Sequence, residues 1–384
     1  MVRTYKDFDL RNRSILLRAD LDAPGDEEGK VKDTYRLEIA AKTIKTLIKL
    51  EPKQIVIIGH RGRPEGHRSK KDSLEKVCIE LMKLVGRTIA FVPDCRSVDI
   101  PNEKIVMLEN LRFHVEEDEN NEGFAHELAS YAEIFINDAF ASHNKGASIL
   151  TIPQFLPSAI GPRFLTELES LHLDHAQEPI VAIIGGAKVH DKMPLFKNLL
   201  KYVEKIYVGG AMMYTFLAVK GYETGKSIID EEGKELASIL INNDKLVLPT
   251  DTVVLDGKEV KTVSVSRIPK TAKGLDVGFG TLDAWYKELK QARTVVWNGP
   301  LGFVEDERFA KQTINLANIL VKLPARTIIG GGDTVKVLQK LGVTEKFFHV
   351  SSGGGAALRI LGGQEHPGVT AIAMNENIKP NEKQ

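Results

Sequence analysis

Residues 181–193 combine an apolar run, two glycines and two lysines: Val-Ala-Ile-Ile-Gly-Gly-Ala-Lys-Val-His-Asp-Lys-Met. The apolar run is typical of a buried strand, and the residues after the glycines predict a helix with Lys188 and Lys192 on one face, about one turn apart. Backbone N–H groups at a Gly-Gly helix start can bind an anion. A polyanion such as phosphate between the two ammonium groups is one interpretation. A solvated helix with two surface lysines is the other.

The second half of the chain contains four further glycine-rich segments, which predict a nucleotide site. They are Asp276-Val-Gly278-Phe-Gly280-Thr281, Trp297-Asn298-Gly299-Pro300-Leu-Gly302, Gly330-Gly-Gly332-Asp333-Thr334 and Ser351-Ser-Gly353-Gly-Gly355-Ala356. Glycines at strand ends permit close backbone approach to a ligand and turns that bind anions. One such turn is weak evidence, because parallel folds use them freely, but four together indicate a nucleotide. Asp333 is a candidate Mg²⁺ ligand, since a hard cation that bridges phosphates takes carboxylate oxygens.

The first half carries arginines where the second half carries glycines. Three motifs follow candidate strands: Arg18-Ala-Asp20-Leu-Asp22, His60-Arg61-Gly62-Arg63-Pro64 and Glu109-Asn-Leu-Arg112-Phe-His114, with Arg36 expected in a loop. Ligands bind at the carboxyl ends of strands in open α/β sheets, and guanidinium groups bind carboxylate or phosphate bidentately. A surface ion pair explains any single arginine. Several at equivalent positions predict an anion site, in which His60 donates a hydrogen bond.

A P-loop is not expected. Gly221-Tyr-Glu-Thr-Gly225-Lys226-Ser227 has one residue too few between its glycines and follows a helical stretch, where that motif requires a strand. Gly221 is better explained as the end of a helix.

Composition limits the function classes. The 384 residues are 42% hydrophobic and 27% charged, which predicts two or three globular domains. The 52 basic and 52 acidic residues cancel, which argues against nucleic acid or membrane as a partner. We expect a cytoplasmic protein, because the first residues do not form a signal peptide and no run would span a bilayer. Only Cys78 and Cys95 are present, which argues against a disulfide framework or a cysteine-based zinc site.

Short apolar runs alternate with amphipathic stretches, which predicts parallel sheets covered by helices on both faces. The predicted strands are 14–20, 54–59, 87–92, 104–108, 133–138, 180–185, 205–210, 293–299, 326–331 and 347–350. A proline-rich stretch near 150 interrupts this alternation, and a helix follows it that would join two α/β units. Residues 246–282 are expected to add small strands.

The motifs taken together resemble the phosphoglycerate kinase family. The similarity runs in order through RADLDAP, GHRGRP, ENLRFH, NDAF, IGGAKVHDK, VGGAMMYTFL, VWNGPLG, IGGGDT and HVSSGGGAAL. It implies two doubly wound parallel-sheet domains of similar size, joined by a helix and closing like a hinge. The implied parts are an acid-binding domain (1–162), the helix (163–178), a Mg-nucleotide domain (179–367) and a tail (368–384) that returns to the first domain.

The resemblance also implies roles for individual residues. Those for 3-phosphoglycerate are Asp20, Asp22, Arg36, His60, Arg63 and Arg112. Those for ATP or ADP are Gly186, Ala187, Lys192, Gly210, Gly278, Asn298, Glu305, Gly331, Gly332, Asp333 and Thr334, with Asp333 on Mg²⁺. The residues implied in catalysis are Arg36, Lys188, Lys192, Gly332 and Gly354.

The chain departs from the family pattern at three places. Asp22 stands where the family has asparagine, and a second carboxylate weakens anion binding unless an arginine pairs with it. The segment Ala141-Ser-His-Asn-Lys145-Gly146 lacks the arginine that holds the substrate phosphate in the family. We predict that Lys145, helped by Arg61, replaces it. Arg359 replaces an acidic residue, and nothing in the sequence explains this change.

The predicted reaction needs no general base, because a substrate carboxylate is already ionised at pH 7. The protein must position two anions, exclude water and neutralise charge on the moving phosphoryl group. The prediction is a monomeric glycolytic enzyme for reversible phosphoryl transfer between 1,3-bisphosphoglycerate/ADP and 3-phosphoglycerate/ATP. The alternative is a nucleotide-binding relative whose acid site has drifted to another acyl phosphate or serves a non-catalytic sensor. The incomplete set of arginines is the feature that separates the two.

Overall fold

The computed structural model describes residues 2–143 and 145–378, and the chain divides into two compact units. The first unit runs to Glu169 and resumes at Glu365, whereas the second runs from Ser170 to Gln364. These limits differ from the predicted boundaries at 162, 178 and 367. Each unit contains a six-stranded parallel sheet, which confirms the predicted class of two doubly wound α/β domains.

The first unit is built from six short strands and the helices between them. The strands are β1 (Ser14–Arg18), β2 (Gln54–Ile58), β3 (Ala90–Val92), β4 (Ile105–Leu108), β5 (Ile134–Asn137) and β6 (Ser158–Ile160). The helices are α1 (Tyr35–Ile48), α2 (Glu75–Val85), α3 (Val115–Asp118), α4 (Glu122–Ala129) and α5 (Pro162–Leu171). The order across the sheet is β3-β4-β2-β1-β5-β6. The chain therefore changes direction across the sheet between β1 and β5.

Alternate side chains of the central strand β1 enter two separate hydrophobic cores. Ile15 and Leu17 pack in one core with Leu37 of α1 and with α2. Leu16 packs in the other core with Phe124 of α4. Strands that bury both faces must be apolar throughout, which is why the continuous apolar runs predicted them correctly.

Two features near the unit boundary differ from the prediction. Strand β6 was not predicted, because its three residues lie among the prolines that interrupt the pattern. It pairs with β5 in register Phe135 to Ser158. Helix α5 ends at Leu171 rather than at 178, since the chain turns just beyond it, where the Ala176 N–H donates to the carbonyl of Leu173.

The second unit repeats the architecture with additional short strands. Its strands are β7 (Ile180–Ile184), β8 (Lys205–Val208), β9 (Leu246–Val247), β10 (Asp251–Asp256), β11 (Glu259–Ser264), β12 (Lys273–Val277), β13 (Thr294–Asn298), β14 (Arg326–Gly330) and β15 (His349–Val350). Its helices are α6 (Met193–Leu199), α7 (Met212–Val219), α8 (Lys234–Leu240), α9 (Phe279–Leu289), α10 (Lys311–Lys322), α11 (Gly332–Lys340) and α12 (Gly355–Leu361). The parallel sheet has the order β15-β14-β13-β7-β8-β9.

The strand order of this second sheet reverses between β7 and β13. Ligands of open α/β sheets bind where the loops after two such strands diverge. The segment after β7 contains the two predicted lysines, and the segment after β13 contains the Asn-Gly-Pro sequence. Strands β10, β11 and β12 form a separate antiparallel sheet, as expected for residues 246–282.

The last described helix, α13 (Pro367–Met374), belongs to the first unit. The ring of His366 donates from Nε2 to the carbonyl of Phe140 at 2.9 Å, and Arg3 donates to the carbonyls of Glu376 and Ile378. Residues 379–384 of the predicted returning tail lie outside the described residues. Within the described ranges, no helix is both long enough and apolar enough to cross a bilayer.

Candidate active site

Arg36 and two aspartates form an ion-pair group at the carboxyl end of β1. The Arg36 Nη1 lies 3.1 Å from Asp20 Oδ1 and 3.7 Å from Asp22 Oδ2. Asp22 also accepts the N–H of Gly62 at 2.9 Å. The Asp20 carboxylate raises the pKa of Arg36, so this guanidinium is permanently charged. The second carboxylate at position 22 is therefore paired, as its position required. Arg36 lies in the first turn of α1, not in the predicted loop.

His60 lies beside a buried arginine, Arg18, which belongs to a predicted strand-end motif but received no role from the family resemblance. Arg18 donates from Nη2 to His60 Nδ1 at 2.7 Å. Burial, together with the positive charges of Arg18, Arg112 and Arg36, holds the pKa of His60 well below its ordinary value. The ring is therefore neutral with its proton on Nε2, which suits the predicted role as hydrogen-bond donor.

Arg18 is fixed in turn by buried hydroxyl groups. It donates to Ser148 Oγ at 2.9 Å, and Ser148 donates to the buried carboxylate of Glu117 at 2.5 Å. The sequence signal that could have identified Arg18 as a site residue is its position in the same strand-end motif as Asp20. Its burial is a tertiary property that the motif alone does not reveal.

Arg61 forms hydrogen bonds with backbone carbonyls of the first unit. Its side chain is buried and donates to the carbonyls of Ala23 at 2.9 Å, Gly29 at 2.8 Å and Ser73 at 3.2 Å. These bonds fix the loop that follows β1. Its Nε and Nη1 are thus engaged with backbone, and the expectation that Arg61 assists Lys145 in binding phosphate stays a prediction.

The other predicted basic residues of the first unit differ in their surroundings. Arg112 donates to the carbonyl of Gly62 at 3.0 Å and pairs with Asp118 at 3.2 Å. Arg63 and Lys145 are exposed and form no ion pair within residues 2–143 and 145–378. Both cations are thus accessible to an anion. The role of Lys145 in binding substrate phosphate stays a prediction.

The two lysines of the second unit do not share a helix, contrary to the prediction. Lys188 lies in an irregular stretch, and a short 3₁₀ turn, His190–Lys192, precedes α6. The N–H groups of Gly185 and Gly186 donate to the carbonyls of Asn298 and Pro300. Contrary to the prediction, these two N–H groups are therefore not free to bind an anion. The lysines themselves stay available, with Lys188 exposed and Lys192 partly buried.

Lys192 lies in a cage of neutral oxygens at the point where the strand order reverses. Its Nζ donates to the Gly185 carbonyl at 2.6 Å and to Asn298 Oδ1 at 2.6 Å, with the Asn298 carbonyl at 3.2 Å. Burial lowers the pKa of Lys192 to about 7, against the smaller opposing effects of the Asp191 and Asp333 charges. A negatively charged ligand would stabilise the protonated form.

Asn298 presents a second unused donor to the same region. Its Oδ1 accepts from Lys192, which fixes the amide so that Nδ2 points the other way. This Nδ2 is buried and has no hydrogen-bond partner within the described residues. A Cβ added at Gly330 would lie 3.1 Å from Nδ2. Because buried donors are almost always satisfied, the orphaned N–H fits an oxygen-rich ligand.

Several predicted nucleotide residues have structural tasks visible in the fold. Gly210 has φ +65°, and a Cβ there would lie 2.3 Å from the Gly186 nitrogen. The Thr334 hydroxyl accepts the N–H of Gly299 at 3.1 Å. A Cβ at Gly278 would meet the Asp251 carboxylate, which already accepts the N–H groups at the start of α9. Their places in a nucleotide site stay predictions.

The remaining predicted residues are accessible or lie at helix starts. Ala187 and Glu305 are exposed. Gly331 and Gly354 have left-handed backbone immediately before α11 and α12. Gly332 opens α11, and a Cβ there would contact nothing within 4 Å.

Asp333 fits the predicted Mg²⁺ site by its chemistry. It is exposed in the first turn of α11, directly after the glycine segment, and its carboxylate lies 3.3 Å from Lys336 Nζ. Magnesium is usually held by one or two carboxylates together with substrate phosphates. One accessible carboxylate beside the segment predicted to bind phosphate satisfies that requirement.

The second unit is a doubly wound α/β unit with a caged lysine at the point where its strand order reverses, which is where ligands of such sheets bind. The sequence profile of the phosphoglycerate kinase family matches residues 5–364. The chain is 39% identical to the phosphoglycerate kinase of Pelotomaculum thermopropionicum and 40% identical to that of Moorella thermoacetica, over 96% of this chain and 98% of each relative. It therefore belongs to the phosphoglycerate kinase family, a family of enzymes.

Solved structures agree with this assignment. The phosphoglycerate kinase from Coxiella burnetii matches with a TM-score of 0.88 at 32% identity, covering 99% of this chain and 100% of the other. The enzyme from Pyrococcus horikoshii matches with a TM-score of 0.85 at 25% identity and the same coverage. The family predicted from the motifs is confirmed.

Proposed function

We propose that this chain is an active phosphoglycerate kinase, a phosphotransferase with a carboxyl group as acceptor. The first unit binds 3-phosphoglycerate and the second binds ATP or ADP with Mg²⁺. The observation that carries this proposal is the caged Lys192 at the switch point of the second sheet, whose ammonium group donates to the neutral oxygens of Gly185 and Asn298. Family membership supports the choice of substrates.

The acid substrate is bound through groups that carry fixed positive charge or a fixed proton. Arg36 is held at the carboxyl end of β1 by Asp20 and Asp22. The Nε2–H of His60 donates to a substrate oxygen, while Arg63 and Lys145 supply accessible positive charge. Arg18 maintains this tautomer of His60 by donating to Nδ1.

In the ATP-consuming direction, a carboxylate oxygen of 3-phosphoglycerate attacks the γ-phosphorus of ATP. The bond between that phosphorus and the β,γ-bridging oxygen breaks, and ADP leaves with the electron pair. Lys192 stabilises negative charge on the transferring group, and Asn298 Nδ2 donates to a phosphate oxygen. Lys188 and the backbone at Gly332 and Gly354 complete the contacts. When Mg²⁺ is bound, held by Asp333, it neutralises phosphate charge.

Transfer between ligands on two separate units requires that the units close around them and exclude water. We expect a smaller radius of gyration by small-angle scattering when both ligands are present than when neither is. We also propose a monomeric cytoplasmic enzyme. Both cysteines are free and buried, in keeping with a reducing compartment.

A coupled assay with 3-phosphoglycerate and Mg-ATP tests the proposal. We expect turnover that saturates with both substrates. Tight Mg-ATP binding without transfer to 3-phosphoglycerate would instead favour a relative with a drifted acid site. Acetate and other small carboxylates serve as control acceptors, because they lack the phosphate that the basic residues would bind.

A further inference from the structure

The segment that carries both lysines is held by a carboxylate from a distant part of the second unit. Asp230 Oδ2 accepts the N–H of Val189 at 2.7 Å and the N–H of His190 at 3.1 Å. The His190 ring adds a third bond, from Nδ1 to the same carboxylate at 3.0 Å. Val189 is buried, and its two neighbours in sequence are Lys188 and His190. The carboxylate thus acts on the backbone between the two lysines.

Asp230 is itself held in place by a hydrogen bond and by close packing. Its backbone N–H donates to the hydroxyl of Thr215, which is buried in α7. A Cβ at Gly233 would lie 2.4 Å from Asp230 Oδ2 and 2.9 Å from the Cβ of Val189. The close approach of the two segments therefore requires glycine at position 233. This makes the contact a tightly packed one.

Backbone hydrogen bonds hold residues 186–192, which carry both lysines, at several positions, and the bonds to Asp230 are among them. Upstream, the Gly186 N–H is bound to the Pro300 carbonyl. Downstream, the Lys192 N–H donates to the Val189 carbonyl at 3.0 Å, which closes the turn. Ala187 and Lys188 are the exposed residues that bridge the gap between these positions. The position of Val189 therefore determines where Lys188 stands and how the turn presents Lys192.

We propose that Asp230 is a positioning residue for phosphoryl transfer, which holds Val189 and His190 so that Lys188 and Lys192 are correctly placed. This inference rests on the proposed function. Asp230 touches no reacting atom in this scheme. It acts through the backbone that carries the lysines, and a displacement of about 1 Å at such groups can cost about 10²-fold in rate.

His190 contributes a weaker part of the same contact. Besides Asp230, its ring faces Asp191 at 3.0 Å and Glu232 at 3.6 Å. Hydrogen bonding to Asp230 raises the pKa of His190. Replacing the ring removes one of three bonds to the carboxylate and leaves both backbone bonds. His190→Ala is therefore expected to have a smaller effect than loss of the carboxylate.

The test measures the rate of a single turnover by rapid quench, in the full-length protein saturated with 3-phosphoglycerate and Mg-ATP. We expect Asp230→Ala to lower this rate about 10–10²-fold, with the KM for 3-phosphoglycerate changed less than twofold. Asp230→Asn should recover much of the rate, because its carboxamide oxygen still accepts the two N–H groups. Gly233→Ala should resemble Asp230→Ala. Glu231→Ala is the matched control, since Glu231 is exposed and pairs only with Lys234 among the described residues.

Amide hydrogen exchange at Val189 and His190 gives a readout that does not depend on activity. Exchange at both should accelerate at least tenfold in Asp230→Ala and stay unchanged in Glu231→Ala. A transfer rate in Asp230→Ala within twofold of wild type would overturn the inference, as would equal losses in Asp230→Ala and Asp230→Asn. If wild-type protein transfers no phosphoryl group to 3-phosphoglycerate, the proposed function fails. Unchanged amide exchange would then separately overturn the positioning role.

Discussion

The two basic clusters hold their positive charge in different ways. In the first unit Arg36 is paired with Asp20 and Asp22, and its pKa is raised. In the second unit Lys192 is surrounded by carbonyl and amide oxygens, and burial lowers its pKa to about 7. A guanidinium with carboxylate partners keeps its charge at any ordinary pH. An amine among neutral dipoles acquires its full charge when an anion arrives.

The positive charge at Arg36 is therefore present before a ligand binds, whereas the charge on Lys192 depends on the ligand. An acid that binds at Arg36 must compete with two carboxylates, so its affinity depends on how many other basic groups contribute. The bonds of Lys192 within the described residues are to neutral oxygens, so a polyphosphate that binds there displaces no bonded carboxylate of this part of the chain. The affinity of the site at Lys192 therefore rises more with each added negative charge on its ligand. This suits the proposed role of Lys192 beside a transferring phosphoryl group.

The largest expected effect is on turnover when Lys192 is removed. Lys192→Ala should lower kcat about 10²–10³-fold, the usual loss for one transition-state donor. The fold should survive, because the caging oxygens are all neutral. Lys197→Ala, at an exposed position on α6, is the control. Near wild-type turnover in Lys192→Ala would remove this lysine from the mechanism.

The second effect concerns stability and tests the assignment of Arg61 to a structural role. Arg61→Ala removes charged donors from two backbone carbonyls in the loop after β1 and from the carbonyl of Ser73, just before α2. We expect the free energy of unfolding to fall by about 1.5–3 kcal/mol, the range for one hydrogen bond to a charged group. Urea denaturation measures this change. A large rise in the KM for 3-phosphoglycerate with unchanged stability would favour the interpretation of Arg61 as a substrate ligand.

The third effect tests how the first unit manages without the family's arginine in residues 141–146. Lys145→Ala should raise the KM for 3-phosphoglycerate by about tenfold, equivalent to about 1.4 kcal/mol. The KM for ATP should stay nearly constant, because that ligand binds the other unit. Steady-state kinetics with each substrate varied in turn measures both values. An unchanged KM for the acid would leave its phosphate to Arg36, Arg63 and Arg112.

The smallest effect is a proton taken up on nucleotide binding at pH 8. The pKa of Lys192 is about 7, below the ordinary lysine value, so the free amine is mostly neutral at this pH. Bound phosphates favour the charged form, and affinity for ATP should fall as pH rises above 7. Calorimetry in two buffers of different ionisation enthalpy should report uptake approaching about one proton. Lys192→Arg should take up almost none, because arginine stays charged.

Structural features that depend on local sequence pattern could be predicted. Features that are fixed by residues distant in sequence could not. The strand ends carrying Arg18, His60 and Lys192 follow from continuous apolar runs, because parallel strands bury both faces. The helix predicted for Lys188 did not form, since Asp230, far along the chain, binds the N–H groups of Val189 and His190. Short-range pattern contains no information about such a partner.

The orientation of the candidate site residues was also not predictable from short-range sequence pattern. Arg61 and Arg63 are two residues apart in one motif, yet one binds backbone in the interior and the other is exposed. Which arginine faces a ligand depends on how the loop after β1 folds over the strand ends. Arg18 was part of a predicted motif but received no individual role, although it fixes the tautomer of His60. Residue type predicted the chemistry of each half, but not which member of each motif performs it.

In the proposed function, each unit binds one substrate through its own cationic group. Isothermal titration of Arg36→Ala and Lys192→Ala, with 3-phosphoglycerate and with Mg-ATP separately, tests it most directly. We predict that Arg36→Ala weakens 3-phosphoglycerate binding at least tenfold and changes Mg-ATP binding less than twofold. Lys192→Ala should show the reverse pattern. Equal weakening of both ligands by either variant would contradict the division of substrates between the two units.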